Sequence, residues 1–438
     1  MNVHANLSGG ALLVLNSGSS SVKFSVFRVD PEGREITPLF AGQLTGIGTD
    51  ARLSAKTAAR EPIADESWAE RDTGSVPVLL PHLISWIERH LPQDLPLMAA
   101  GHRVVHGGAN LHRPARITDD VLAELETLIP LAPLHQPQNV AAIKVLAESR
   151  GDLPQVACFD TAFHHAQPLN STTYAIPRHL TEAGIRRYGF HGLSYEYVAR
   201  QLLATHPDLV RGRVVVAHLG NGSSLCAIKD GTSIDTTMGF SVLEGVPMGT
   251  RSGGIDPGIL IYLMRKFDMD VNDLERLLYH QSGLLGVSGV SNDMRVLLGS
   301  SDPHCAEAVD LFCLRVAKEV CTLACSMGGI DALVFTAGIG EHSAEVRAGV
   351  CAHLNWLGID LDAARNADAE ALISSDTSLP VHVIATDEEF MIARHTVDLL
   401  TTHNAACRGS VARIRGSTCG PDGERRNPDR QRDIEPRR

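Results

Sequence analysis

LVLNSGSSSVKFSV, residues 13–26, and VVVAHLGNGSSLCAIKDG, residues 214–231, repeat one pattern about half a chain apart. Each copy reads as an apolar, β-branched strand, a turn of glycine and small polar residues, and a second strand. Gly18-Ser19-Ser20 and Gly222-Ser223-Ser224 are expected at the two bends. Glycine lets a backbone approach a ligand closely, and successive N–H groups with hydroxyls make a concave anion site. The repeat predicts two duplicated domains that hold a polyphosphate in the cleft between them, as a phosphotransferase would.

Length and composition narrow the class of protein. A chain of 438 residues is expected to form at least two domains, and its 44% apolar and 21% charged shares are ordinary for a globular protein. The net charge of -12 argues against a general nucleic-acid partner. Nine scattered cysteines without a CxxC pair favour a reducing compartment. Because the sequence shows neither a signal peptide nor a run of ~20 apolar residues, we expect a cytoplasmic protein with no membrane partner.

The two copies of the turn suggest a division into domains. The first domain is expected over residues 1–164 and the second over residues 165–387. A repeat of this length indicates domain duplication, because solenoid repeats are only roughly 20–50 residues long. Residues 405–438 are rich in Arg, Pro, Gly and Asp and have almost no apolar periodicity, so we expect a disordered tail there.

The first group of candidate site residues surrounds the first bend. Asn16 ends one strand and Lys23 begins the next, which places an amide oxygen and an ammonium beside one turn. An ordinary hairpin with an exposed lysine gives the same pattern, since Asn-Ser-Gly is common in turns. The matching turn at residues 220–224 favours the functional interpretation.

Charged residues in apolar strands form a second group. Arg103 lies in GHRVVHGG, where a buried guanidinium needs an anionic partner. That partner is either an internal carboxylate or a bound carboxylate or phosphoryl group, which the planar guanidinium suits. Asp160 lies where another apolar strand stops, a position for either a turn former or an active-site acid.

The Gly-rich second half supplies further candidates. His191 lies in YGFHGLS and Arg251 lies in MGTRSGG. Phosphoryl transfer needs positioning and positive charge around the phosphoryl group, which Arg103, His191 and Arg251 could supply. A purely structural histidine is the alternative interpretation of His191.

Two patterns near the end of the chain complete the set. FTAGIGEH, residues 335–342, is a strand followed by a GxG loop and a helix, a weak signal for a nucleoside site. TDEEF, residues 386–390, has paired carboxylates that suit Mg²⁺ but are equally compatible with a solvated turn. The sequence contains no GxxxxGK[ST] loop and no protein-kinase motif set.

Taken together, the motifs resemble those of the acetate kinase family. The similarity extends from residue 11 to about residue 400 and keeps the family's order. It rests on NSGSSSVKF, HRVVHGG, LAPLH, FDTAFH, YGFHG, HLGNGSS, MGTRSGGIDP, SGLLGVSGVSNDMR, FTAGIGE and TDEEFMIAR. The resemblance implies an α/β fold of two duplicated actin- or ribonuclease H-like domains around a nucleotide cleft. A C-terminal helix at about residues 388–404 would complete the first domain, and the second would hold the nucleotide site and a homodimer interface.

The resemblance also implies a reaction and a set of site residues. The reaction is reversible, in-line phosphoryl transfer between ATP and acetate, giving ADP and acetyl phosphate, with Mg²⁺ or, in its place, Mn²⁺. The implied catalytic residues are Asp160, His191, Arg251 and Arg103, and Arg103 also binds substrate beside an apolar wall of Val105, Leu134, Phe190 and Val242. The implied metal ligands are Asn16 and Glu388. The implied nucleotide contacts are Lys23, His218, Leu219, Gly220, Asn221, Gly222, Asp293, Met294, Arg295, Gly338, Ile339, Gly340, Glu341 and His342.

The chemistry of the acceptor limits what Asp160 has to do. A small carboxylic acid has a pKa of about 4 and is already ionised at pH 7. The attacking oxygen therefore has no proton to lose. We expect Asp160 to orient Mg²⁺, water or the acceptor rather than to act as a general base.

Several positions depart from the pattern that the resemblance implies. Val242 stands where proline is usual, beside the acetyl pocket, so propionate or a slightly longer acid could be accepted. His342 replaces an asparagine in the nucleoside loop, which leaves the nucleotide preference open. Gly254, Tyr195 and the first glutamine of LHQPQN are the other departures.

Two alternatives stay open at this point. One is a propionate or butyrate kinase of the same family. The other is an actin- or Hsp70-like module whose bound ATP controls the binding of a protein partner. Arg103, His191 and Arg251 favour a second small substrate over the binding module.

Overall fold

The computed structural model describes residues 9–18, 21–68 and 75–414, with side chains up to residue 401. These residues form two mixed β-sheets with helices packed on their faces. None of the helices in this part of the chain is both long enough and apolar enough to cross a bilayer.

The first sheet contains eight strands. They are β1 Gly10–Ser17, β2 Ser21–Val29, β3 Ile36–Thr45, β4 Arg52–Thr57, β5 Pro62–Ser67, β6 Leu97–Val104, β7 Ala115–Arg116 and β8 Gln155–Phe159. Their order is β5-β4-β3-β2-β1-β6-β8-β7. β1 pairs antiparallel with β2 and parallel with β6, and β8 continues parallel to β6. The carboxyl ends of β1, β6 and β8 therefore lie at one edge of the sheet.

The second sheet contains five strands in the same arrangement. They are β9 Arg213–Leu219, β10 Ser223–Lys229, β11 Thr232–Thr236, β12 Ala332–Thr336 and β13 Val381–Val383. Their order is β11-β10-β9-β12-β13. β9 pairs antiparallel with β10 and parallel with β12, as β1 does with β2 and β6. The predicted duplication in an α/β fold is thus confirmed by the order and direction of the strands.

The tip of the second hairpin is formed by fewer residues than the sequence pattern suggested. In the second, Leu219 pairs with Ser223, so residues 220–222 form the bend and Ser223 and Ser224 belong to β10. The expectation that these two serines lie at the bend is therefore wrong. Ser223 closes the turn instead, because its Oγ accepts from the Gly220 N–H at 3.1 Å and donates to the Gly220 carbonyl at 2.9 Å. Ser19 and Ser20 of the first hairpin lie outside the described residues.

Sixteen α-helices are described between and after the strands. They are α1 Val76–His90, α2 Asp119–Thr127, α3 Gln136–Ser149, α4 Leu169–Thr172, α5 Arg178–Glu182, α6 Gly192–Thr205, α7 Pro207–Val210, α8 Pro257–Phe267, α9 Val271–His280, α10 Gly283–Ser288, α11 Met294–Leu298, α12 Pro303–Met327, α13 Ala337–His342, α14 Ala344–Ala352, α15 Ala363–Ala367 and α16 Glu388–Ile414. Two helix starts follow from local chemistry, since the side chains of Thr118 and Ser343 cap the free N–H groups of α2 and α14.

Helix α6 joins the cores of the two sheets. Its Leu193 packs into the cluster beneath β1 and β8, while its Tyr195 and Val198 pack against β9 and β12. Burying a large apolar side chain contributes roughly 1.5–3 kcal/mol. The residues at the start of α6 are therefore held between the two halves of the molecule, where the site residues converge.

The last helix, α16, packs on the first sheet. Its Met391, Ile392 and Val397 are buried in the same cluster as Leu12 and Val14 of β1. The helix starts at Glu388, as expected, but it continues to Ile414 and so includes residues 405–414, which the sequence analysis assigned to a disordered tail. Residues 415–438 of that predicted tail lie outside the described residues.

Candidate active site

Arg103 and Asp160 form a buried ion pair at the carboxyl ends of β6 and β8. The Arg103 Nε donates to Asp160 Oδ1 at 2.9 Å, and its Nη2 donates to Oδ2 at 2.6 Å. Its Nη1 donates to the Asn16 Oδ1 at 3.2 Å, from the end of β1. Of the two partners proposed for Arg103, the structure contains the internal carboxylate. Three parallel strands thus bring together residues that lie far apart in the sequence.

Glu388, the first residue of α16, completes this charged group. Its Oε2 lies 3.8 Å from the Arg103 Nε, and its side chain is only 16% exposed. Burial raises the pKa of Glu388, the Arg103 guanidinium opposes that shift, and the Asp160 carboxylate adds to it. Burial lowers the pKa of Arg103, but Asp160 and Glu388 outweigh it and hold the pKa above its usual range. Arg103 is therefore a permanent cation between two carboxylates.

Oxygen donors suited to a divalent cation surround the same guanidinium. The amide of Asn16 and the carboxylates of Asp160 and Glu388 all lie within hydrogen-bond or ion-pair distance of Arg103. No group of three or more His, Cys, Asp and Glu side chains with metal-binding geometry occurs within the described ranges. Mg²⁺ needs few protein ligands because it keeps several waters. The donor set of Asn16 and Glu388 therefore fits Mg²⁺ in kind.

Two stacked histidines face this group from the second half of the molecule. The rings of His191 and His218 lie 4.2 Å apart, centroid to centroid, with an angle of 16° between them. The Nδ1 of His191 is 2.8 Å from the Ser224 Oγ, and the Nδ1 of His218 is 2.8 Å from the Ser194 Oγ. Burial lowers the pKa of His218 to about 4 and holds the pKa of His191 well below 6.5. Both imidazoles are therefore neutral at pH 7.

Arg251 connects the phosphate-loop candidate to the apolar pocket. Its Nη1 donates to the Val242 carbonyl at 3.3 Å and lies 3.6 Å from the Met248 sulfur. A Cβ atom built on Gly222 would lie 3.7 Å from the same Nη1 and 3.5 Å from the His191 Nε2. The glycine thus leaves open a space lined by two side-chain nitrogens. Burial lowers the pKa of Arg251 and the nearby Arg103 lowers it further, which places two guanidinium groups in one cleft.

The predicted apolar wall is partly assembled. Val105 and Phe190 are buried in one small cluster, against which Val242 packs. Leu134 is half-buried and does not belong to that cluster. The sequence analysis missed the other members, Ala132, Met238 and Met248. Ala132 could have been found in LAPLH, a quoted motif to which only Leu134 was assigned.

A cavity of about 670 Å³ collects most of the predicted nucleotide residues. Its lining comes from the β9–β10 turn, the start of α11 and the region around α13. Predicted residues in the lining are Gly220, Asn221, Asp293, Met294, Arg295, Gly338, Ile339 and His342. Residues that the sequence analysis missed are Asn292, Leu298, Ser343 and Glu345. The cavity begins at the turn beside Gly222, so it adjoins the space between His191 and Arg251.

Other predicted nucleotide residues lie elsewhere. Leu219 is fully buried in the core of the second sheet, and Gly340 is buried within α13. The Glu341 carboxylate accepts from the backbone N–H of Ala337 at 2.8 Å and of Thr386 at 3.1 Å. Lys23 is exposed on β2, directly opposite Asn16. Their predicted contacts with nucleotide remain predictions.

Further polar residues support the site and were missed. The Asn139 side chain accepts from the Val105 N–H at 3.1 Å and donates to the Ser17 carbonyl at 2.8 Å. Burial lowers the pKa of His135 to about 4, and the positive charges of Arg251 and Arg103 lower it further. His135 is therefore a neutral imidazole near both arginines. The quoted motifs LAPLH and LHQPQN contain both residues, and no charge pattern singled them out.

A family model described as the acetokinase family matches residues 11–394. The chain belongs to the acetokinase family. An acetate kinase of Nitrobacter hamburgensis is 48% identical over 397 residues, which cover 90% of this chain and 98% of the relative. An acetate kinase of Rhizobium meliloti is 46% identical over 396 residues, covering 90% of this chain and 100% of the relative. The family resemblance inferred from the motifs is thus confirmed over nearly the whole chain.

Solved structures of the same kind are similar in fold. A propionate kinase from Francisella tularensis matches with a TM-score of 0.81 and 39% identity, covering 88% of this chain and 98% of its own. The acetate kinase of Porphyromonas gingivalis matches with a TM-score of 0.79 and 35% identity, covering 89% of this chain and 100% of its own. The acetokinase fold therefore includes both sheets and the cleft between them.

Proposed function

We propose that this acetokinase-family protein is an acetate kinase that transfers a phosphoryl group reversibly between ATP and acetate. The position of Arg251 carries the proposal. Its guanidinium touches the apolar cluster through Val242 and Met248 and adjoins Gly222 at the phosphate end of the nucleotide cavity. A cation at that point would lie between a nucleotide and a small acid, where charge develops during transfer.

Arg103 retains enough hydrogen-bond capacity to bind the acceptor as well as Asp160. A guanidinium has five N–H donors, of which two are used by Asp160 and one by Asn16. One N–H on Nη1 and one on Nη2 remain for a substrate carboxylate. Val105, Phe190 and Val242 would then surround its methyl group. Asp160 fixes the guanidinium plane, which supports a positioning role for this acid rather than proton transfer.

The transfer itself requires little covalent chemistry from the protein. An oxygen of the ionised acetate attacks the γ-phosphorus of ATP, and the bond from that phosphorus to the ADP oxygen breaks. Arg251 and the two imidazoles would donate hydrogen bonds to the phosphoryl oxygens. Asn16 and Glu388 would hold Mg²⁺, which would supply positive charge at the phosphates when bound. Lys23, across the hairpin from Asn16, would add a further cation.

An exposed apolar face on the second half supports a homodimer. Helices α8 and α9 have no buried residues, and their large exposed apolar side chains are Ile259, Ile261, Tyr262, Met264, Phe267 and Val271. The side chain of Val271, for example, is 71% exposed. A second copy of this chain would cover such a face, since large apolar patches mark interfaces. We further propose that the enzyme acts in the cytoplasm.

The direct test is hydroxamate trapping of the acyl phosphate, made with ATP, Mg²⁺ and a series of acetate, propionate and butyrate. We expect the highest kcat/KM with acetate and no product without the acid. A higher kcat/KM with propionate would favour the propionate kinase alternative, for which the position of Val242 in the pocket is the supporting observation. A rate of ATP turnover that does not change when any of the three acids is added would overturn the proposal and favour the ATP-dependent binding module.

A further inference from the structure

Each of the two stacked histidines ends a chain of hydroxyl groups. The Tyr195 hydroxyl lies 2.5 Å from the Ser224 Oγ, which lies 2.8 Å from the His191 Nδ1. In parallel, the Thr386 hydroxyl donates to the Ser194 Oγ at 2.8 Å, and that oxygen lies 2.8 Å from the His218 Nδ1. The proposed contact of each histidine with the phosphoryl group requires only the imidazole, so the two outer hydroxyls need a separate explanation.

The direction of the first chain follows from counting protons. Tyr195 is fully buried, and Ser224 is its one hydrogen-bond partner within the described part of the chain. If the histidine donated to the serine and the serine to the tyrosine, the tyrosine proton would be buried without an acceptor, which costs about 1–3 kcal/mol. The tyrosine therefore donates to Ser224. The single serine proton goes to the His191 Nδ1, because this nitrogen is the one other hydrogen-bond partner of the Ser224 Oγ within the described residues.

The second chain has the same direction. Thr386 donates to Ser194, so the one proton of Ser194 is free to bond the His218 Nδ1. A neutral imidazole whose Nδ1 accepts a hydrogen bond has its proton on Nε2. Neither Nε2 has a hydrogen-bond partner within the described ranges, and that of His191 faces the open space at Gly222 and Arg251. The two rings thus present N–H donors instead of lone pairs.

We propose that Tyr195 and Thr386 are positioning residues that fix the Nε2–H tautomers of His191 and His218, so that both neutral rings donate to the phosphoryl oxygens. The inference rests on the proposed phosphoryl transfer for its purpose, although the tautomers are defined without it. The outer residues of the two hydroxyl chains belong to different parts of the structure. Tyr195 belongs to α6, whereas Thr386 lies just before α16, close to Glu388.

A neutral donor suits this place better than an imidazolium would. Arg103 and Arg251 already supply two permanent charges, and a third cation beside them would repel both. A donor N–H still stabilises a phosphoryl oxygen as its charge grows, and a preorganised donor needs no reorientation during transfer. In the opposite tautomer, Nε2 would present a lone pair to an anionic oxygen. The hydroxyl chains therefore decide whether each ring attracts or repels the phosphoryl group.

The inference is tested by comparing Tyr195→Phe with Tyr197→Phe, a matched loss of a hydroxyl from the same helix. Phe keeps the packing of the Tyr195 ring against Val198 and β9. The side chain of Tyr197 is half-buried and its ring packs edge-on against Phe390, and its hydroxyl is not a member of either hydroxyl chain. The readout is ¹⁵N NMR of the histidine side chains in the ligand-free enzyme, which distinguishes the two tautomers, together with kcat and KM for ATP and acetate.

We expect His191 to be the Nε2–H tautomer in the wild type and in Tyr197→Phe, and to become a mixture in Tyr195→Phe. The kcat of Tyr195→Phe should fall about three- to tenfold, the effect of one neutral hydrogen bond, with KM for acetate within about twofold. Thr386→Val should do the same to His218, and Thr386→Ser should restore the wild-type tautomer. Thr386→Val and Thr386→Ser provide the test if the Tyr195→Phe protein does not fold.

An Nδ1–H tautomer in the wild type, or an unchanged Nε2–H tautomer in both Tyr195→Phe and Thr386→Val, would overturn the inference. Because the tautomer is read without turnover, it separates this inference from the proposed function. A wild type that fixes Nε2–H but makes no acyl phosphate would leave the tautomer assignment standing and refute only the kinase proposal.

Discussion

The β1–β2 and β9–β10 hairpins occupy the same place in two sheets of the same topology, but they present different chemistry. In the first, Asn16 pairs across the ladder with Lys23, so an amide and an ammonium stand at opposite positions. In the second, His218 pairs with Ser224, an imidazole and a hydroxyl. In the first hairpin, Asn16 accepts a hydrogen bond from Arg103. In the second, His218 and Ser224 are hydrogen-bonded to Ser194 and Tyr195 of α6. The two hairpins share their backbone arrangement and differ in the side chains at the paired positions.

The difference between the two hairpins extends to the parts of the site around them. The first half concentrates formal charge, with Lys23, Arg103, Asp160 and Glu388 near one strand edge. The second half offers one guanidinium, that of Arg251, together with buried neutral rings and the walls of the nucleotide cavity. We therefore expect changes at the charged group of the first half to act mainly on transfer. Changes at the β9–β10 turn and the walls of the nucleotide cavity should act mainly on nucleotide binding.

The largest effect is expected from Asp160→Asn in the first half. Asparagine keeps one acceptor oxygen but loses the charge that fixes the Arg103 fork, and a misplacement of about 1 Å can cost about 100-fold in rate. We expect kcat to fall by about 100-fold or more, with a residual pH–rate profile of unchanged shape, measured by hydroxamate formation. A kcat near that of the wild type would show that the ion pair is dispensable. Loss of turnover with intact Mg²⁺ and acetate affinity would favour proton transfer instead of orientation.

Histidines buried as neutral rings in both halves should make the stability of the protein depend on pH. Burial lowers the pKa of His102, His164 and His218 to about 4, below the value of 6.5 for an exposed imidazole. Between pH 6.5 and about 4 the unfolded chain therefore binds more protons, and the free energy of unfolding falls as the pH is lowered. At pH 5 each buried ring should lower the free energy of unfolding by about 2 kcal/mol.

Urea unfolding at pH 7 and pH 5 measures this pH dependence. His102→Gln should reduce it without changing KM for ATP, because His102 bonds Gln155 within the first sheet. His218→Asn should reduce it as well and should also weaken nucleotide binding. Equal stability at the two pH values would contradict the burial of these rings as neutral groups.

The smallest effect is expected in the apolar cluster between the halves. Val242→Ala removes two methyl groups from the wall on which Phe190 and Met248 pack. Because a methylene changes discrimination only modestly, we expect the ratio of kcat/KM for propionate to that for acetate to rise about three- to tenfold. Hydroxamate formation with the two acids gives this ratio. An unchanged ratio would place the methyl group of the acceptor elsewhere.

Much of the fold could be predicted from the sequence because its signals are local. The strands beside the two turns follow from β-branched runs, and the helix starts at Thr118 and Ser343 follow from capping chemistry. The nucleotide cavity could be anticipated because its Gly-rich loops need close backbone approach. The bend at residues 220–222 could not, since the register that places Ser224 opposite His218 depends on pairing along the whole strand.

The unpredicted parts of the site depend on distant pairs. Arg103 lies 57 residues from Asp160, and no local pattern shows that the carboxylate occupies its guanidinium. Thr386 and Ser194 are 192 residues apart, so their hydroxyl chain exists only in the folded protein. Leu134 matched a motif, yet its side chain lies outside the apolar cluster. The types of residue were predictable, whereas their partners were set by packing.

The most direct test of the difference between the hairpins compares Lys23→Met with Asn221→Ala, using Kd for ATP and kcat measured on the same preparations. Lys23 acts electrostatically on Glu388, whereas Asn221 lines the nucleotide cavity. We expect Lys23→Met to lower kcat by about tenfold or more with a nearly unchanged Kd, the loss of one charge that stabilises the transferring group. Asn221→Ala should raise Kd several-fold and leave kcat close to that of the wild type. If kcat and Kd changed together in both variants, the two hairpins would not have the different roles proposed for them.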